Sequence, residues 1–100
     1  MDLREHPRHE VQIPVSFLGD DVAGKGTVSN LSLGGCAVKG DKILRVGAFL
    51  ELSVNLPGPE QTLSVDVAVV RWTLGEKFGL DFLQMRPQEQ KRLRRFIKSL

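Results

Sequence analysis

The chain has a single cysteine, Cys36, so an internal disulfide framework is excluded, and a lone thiol suits a reducing cytoplasm. No apolar run approaches the ~20 residues that a membrane-spanning helix needs. The opening stretch, MDLREHPRHE, lacks the apolar centre of a signal peptide, and a cytoplasmic location is expected. No repeat, low-complexity stretch or linker divides the chain, which reads as one stand-alone domain over residues 1–100. Charge of one sign is scarce too: fourteen Lys and Arg stand against twelve Asp and Glu, a net +2. That near-balance conceals a division. Residues 1–85 hold eight basic and eleven acidic side chains, whereas residues 86–100 hold six basic ones against Glu89 alone. The basic pI therefore belongs to the tail. What is present is globular: 41% hydrophobic and 26% charged residues, enough for one core and no second domain.

The body alternates with period two, the pattern of half-buried strands. Val11, Ile13, Val15 and Phe17 share one face of a strand over 9–18, and a Gly-Asp-Asp turn follows. A second strand is expected over 26–31 with Val28 inward. After Gly34-Gly35, Cys36 and Val38 alternate with Ala37 and Lys39. Leu50, Leu52, Val54 and Leu56 form a fourth inner face, closed by Pro57-Gly58-Pro59. The longest strand places Leu63, Val65, Val67 and Val69 together, with Arg71 on the same parity as a rim residue. The last strand has Phe78, Leu80 and Phe82 opposite Gly79 and Asp81. Six short strands with hairpin-length links and no intervening helix predict an all-β, six-stranded antiparallel barrel over 10–85, closed because open edges are costly.

The tail changes period. Leu93, Phe96, Ile97 and Leu100 fall at i, i+3, i+4 and i+7, one apolar stripe of a C-terminal α-helix over 87–100. Pro87 suits the first turn, and Glu89 lies at the end of the helix dipole that favours an acid.

Two polar constellations stand out. Arg4 and Arg8 are four apart around Pro7, which disfavours helix at His6, so residues 1–9 read as a flexible arm. Paired guanidiniums offer planar forks of donors for an anion and faces that stack on bases, though a solvated basic tail shows the same spacing. In Asn30-Leu31-Ser32-Leu33-Gly34-Gly35, the Asn30 and Ser32 side chains alternate to one side, and Gly35 admits close approach of a ligand or of backbone. Taken alone, such a stretch is more often a polar turn with Asx-type hydrogen bonds.

RxxxR (Arg4, Arg8) followed by NxSxxG (Asn30, Ser32, Gly35) resembles the two-part signature of PilZ domains, and Val70-Arg71-Trp72 and Phe78-Gly79-Leu80-Asp81-Phe82 agree downstream. The resemblance implies a barrel that binds cyclic di-GMP on its outer surface. It implies that Arg4 and Arg8 meet phosphates and guanine bases, that Asn30 and Ser32 hydrogen-bond the guanine side, and that Gly35 lets the backbone approach. The residue before the first arginine, here Leu3, bears in that family on whether one or two ligands bind. Trp72 has two placements open to it, in the ligand platform or beneath the C-terminal helix.

No enzymatic group is expected. Ser32 has no histidine base, Cys36 has core parity, and His6 and His9 lack the further ligands of a metal site. The reading is a non-enzymatic receptor, without cofactor, whose ligand orders the arm to signal to a downstream protein in motility, exopolysaccharide or biofilm control. A monomer or weak dimer is expected. Two rivals are an adaptor of the same fold that binds no nucleotide and a barrel that binds nucleic acid through the basic helix. The net negative body argues against the second rival.

Overall fold

β-Branched and aromatic residues at alternate positions become six strands, which a computed structural model places within the described residues, 7–58 and 61–100. They are β1 (His9–Leu18), β2 (Ala23–Leu31), β3 (Gly35–Gly40), β4 (Phe49–Asn55), β5 (Thr62–Leu74) and β6 (Lys77–Gln84), followed by the helix α1 (Pro87–Lys98). All pairings are antiparallel, and the sheet closes in the order β1-β2-β3-β6-β5-β4. The expected barrel is the one observed. Its closing seam is short: β1 meets β4 only from Val15 to Leu18, while its first half pairs with β2 alone.

The interior is filled by side chains, among them Phe17, Val28, Leu31, Cys36, Leu63 and Phe78, with the Phe17 and Phe78 rings edge to face at 5.4 Å. Two strand expectations are corrected. β2 begins at Ala23, three residues earlier than the alternation suggested, because Gly24 and Gly26 pair with β1 without contributing apolar side chains. In β5 the inward face is not Leu63, Val65, Val67 and Val69 throughout. An extra residue opposite β4, between Val65 and Ala68, hands that face to Ala68 and Val70, both fully buried, and leaves Val67 half-buried. A second irregularity, opposite β6, puts Arg71 and Trp72 outside in succession.

α1 starts as Pro87 dictates, with Arg86 extended before it. Leu93 and Phe96 enter the barrel's own core, and Ile97 packs against it. Leu100 does not join them: the helix ends at Lys98, Ser99 caps it, and Leu100 is exposed. The helix is tied to the start of β5. The Glu89 carboxylate accepts the Ser64 N–H at 2.8 Å, and Arg92 donates to the Thr62 carbonyl at 2.8 Å.

Candidate functional site

The arginine ahead of β1 is already engaged. Arg8 Nη1 donates to Asn30 Oδ1 at 2.8 Å, from the entrance of β1 to the end of β2. The expected arm of residues 1–9 therefore gives way to strand at His9, with Arg8 anchored beside it. Arg4, Leu3 and His6 lie outside the described residues.

From Asn30 a single row of paired residues crosses the outer wall. Asn30 pairs with Ala37, Ala37 with Gly79, and Gly79 with Trp72. Paired residues on neighbouring strands point to the same face, so the row has a polar end, a floor of two small residues and an aromatic end. Three strand spacings separate its ends, about 14 Å. A Cβ on Gly79 would collide with the Trp72 indole, so the ring lies on the glycine itself. The helix is docked at the other end of β5, on Thr62 and Ser64. Of the two placements open to Trp72, packing beneath that helix is not the one adopted.

The turn 32–35 is held from within. Ser32 is buried; its Oγ accepts the N–H groups of Gly34 and Gly35 at 3.2 and 3.1 Å and donates to the Gly35 carbonyl at 3.2 Å. Its only proton is thus committed to its own turn, whereas Asn30 sits half-buried on the outer wall. Gly35 admits backbone, as one of its two readings allowed: a Cβ there would strike the Leu80 carbonyl of β6. Phe82 N–H completes the junction by donating to the Gly34 carbonyl at 2.9 Å.

Behind this wall, burial pushes the Cys36 thiol up to about 12, against a smaller opposite pull from Arg8. It is an inert core residue. Among the described residues no group of three or more His, Cys, Asp or Glu could hold a metal ion, and no helix is long and apolar enough to cross a membrane.

Two features were not anticipated. The floor residues Ala37 and Gly79 are legible only once the strands are in register. Arg71, expected at the rim, donates from Nε to Asp81 Oδ2 at 2.7 Å on the outer wall. The signal that hides it is the irregularity in β5.

A PilZ domain family model matches residues 2–99. The chain belongs to the PilZ domain family. Among solved structures this PilZ domain is similar to the Bacillus subtilis inhibitor of motility MotI, with a TM-score of 0.79 and 23% identity. That likeness covers 99% of this chain and only 52% of MotI, about half its length. The PilZ domain of YcgR from Escherichia coli, solved with c-di-GMP, gives a TM-score of 0.78 at 20% identity, covering 99% of this chain and 92% of that one. The PilZ domain of CeSA from a cellulose-synthesising bacterium gives 0.73 at 20% identity, covering 93% and 96%. No curated protein matches this chain.

Proposed function

We propose that this PilZ domain is a non-enzymatic receptor for cyclic di-GMP, held on the outer row between Arg8 and Trp72. The observation that supports this most is the Arg8–Asn30 bond, which joins the two halves of the signature at one end of a floor that ends in an indole. The ligand is a dianion with two purines, so it rewards groups that are cationic and planar at once.

Arg8, with Arg4 from the residues before it, meets the phosphates and the O6/N7 edge of guanine. A bidentate pair of that kind discriminates by ~1–3 kcal/mol. The Asn30 amide addresses the guanine side, and Trp72 supplies a stacking face; base–aromatic stacking contributes ~1–3 kcal/mol. Ser32 and Gly35 act by fixing the turn that sets Asn30 against β3. Binding orders the residues ahead of Arg8 over the row, giving a downstream protein a new surface to read, with motility, exopolysaccharide or biofilm control as the output. Ordering about seven residues costs on the order of 10 kcal/mol. Exposed ion pairs at ~0–1 kcal/mol each do not offset that, so directional contacts are required.

Calorimetric titration with cyclic di-GMP tests the reading, on the wild type, Arg4→Ala and Arg8→Lys. Saturable binding is expected for the wild type, weakened at least tenfold in each variant, because an ammonium cannot reproduce the planar fork. Near-normal affinity in Arg8→Lys would overturn the arginine geometry. Absence of cyclic di-GMP binding, with steeply salt-dependent binding of an oligonucleotide, would overturn the receptor reading itself.

A further inference from the structure

Three of the large apolar side chains exposed among the described residues gather at one end of the barrel. They are Leu18 (53%), Ile43 (78%) and Phe49 (62%). Phe49 is common to two adjoining grooves. One, of about 480 Å³, runs between the β1–β2 turn and the segment before β4; the other, of about 410 Å³, runs along β4 and β5. Side chains of this size rarely stand uncovered in a cluster unless something binds there. The chain's own helix does not cover them, being docked on Thr62 and Ser64 at the start of β5.

The rim is predominantly acidic. Asp20, Asp21, Glu51 and Asp66 line the grooves, and Arg45 is the one cation among the lining residues. Asp66 is only loosely matched, with Arg86 Nε at 3.9 Å in an exposed pair. We propose that this end of the barrel is a docking surface for a basic, amphipathic helical segment of a partner protein. Apolar side chains at i, i+3 and i+4 of such a helix would seat on either side of Phe49, and flanking Lys or Arg would meet the four carboxylates. The acidic rim turns away large anionic partners, nucleic acid and an anionic bilayer among them. Leu18 lies at the opposite end of β1 from Arg8, about 30 Å along the strand, and Phe49 pairs with Val69, three residues from Trp72.

The test uses the full chain, labelled with ¹⁵N, and two synthetic 14-residue helices sharing one leucine pattern, one with Lys and one with Glu at the polar positions. The Leu/Lys peptide is expected to shift the amide signals of residues 18–22, 43–51 and 66–67. It should bind at least tenfold more weakly to Phe49→Ser and to the double variant Asp20→Asn, Asp21→Asn. The Leu/Glu peptide should leave the spectrum unchanged. Ile43→Ser, in the segment before β4, gives the same comparison should Phe49→Ser fold poorly. Equal affinity for the two peptides, or shifts centred on another face, would overturn the proposal. So would self-association that disappears in Phe49→Ser, since the occupant would then be a second copy of this chain.

Discussion

Gly35 and Gly79 both lack a Cβ for want of room, and what occupies the space differs. At Gly79 it is the Trp72 indole, the end of a half-exposed side chain that can swing away. At Gly35 it is the carbonyl of Leu80, locked into the β3–β6 ladder. Alanine at position 79 should therefore cost about 1 kcal/mol in lost contact, and alanine at 35 up to ~3 kcal/mol, because backbone must move. In a domain of this size 1 kcal/mol corresponds to about 4–8 °C, so thermal melts separate the two variants readily. Tryptophan emission adds a second readout: Gly79→Ala should shift it to the red, while Gly35→Ala should leave it in place until the melt. A larger loss for Gly79→Ala than for Gly35→Ala would contradict the packing described for both. At this scale the sequence marked Asn30, Ser32 and Gly35 as a unit. It could not tell that the Ser32 proton is used within the turn, because the acceptor is a backbone carbonyl, which every residue carries.

Among the elements, the strands were legible because period two survives in four of the six; β2 loses it between Val28 and Asn30, where Val28 and Leu31 both turn inward. β5 was not legible, since its irregularities lie among Val67, Ala68, Val70 and Trp72, all of which suit a strand on either face. The helix was legible by its stripe, but its anchor was not. Glu89 looks like an ordinary acid at a helix start; its partner is the N–H of Ser64, a donor with no signature in composition. Burial tends to raise the Glu89 carboxyl, and the Ser64 N–H and the Arg92 guanidinium, at 2.8 Å, outweigh it and hold the group below its ordinary value of 4.5. The folded state thus favours the charged form. Its contribution to stability is complete above the unfolded value and disappears as pH falls through the folded one. Glu89→Gln should cost roughly 1.5–3 kcal/mol at pH 7, the range for hydrogen bonds to charged groups. Urea melts from pH 7 downward should show the gap between variant and wild type closing below about pH 4.5. A gap constant with pH would remove the charge from the account.

The whole molecule is one cooperative object by this packing. Leu93 and Phe96 of the helix belong to the same apolar cluster as the barrel strands, while Trp72 sits on the outer wall near the far end of β5. Helical circular dichroism and Trp72 emission should accordingly report one urea transition with the same midpoint. A helix that melts first would show that it is an appendage. The division of charge also has a place in space: carboxylates rim one end of the barrel, and the basic helix is tied to the start of β5.

The short seam of the barrel has a mechanical meaning. β1 is held on both sides only from Val15 onward, so a pull applied through the chain ahead of Arg8 loads the Arg8–Asn30 bond first. It then unzips the β2 pairs one by one before it reaches the doubly held part. Tension along that line takes the row apart at its polar end while most of the barrel still stands.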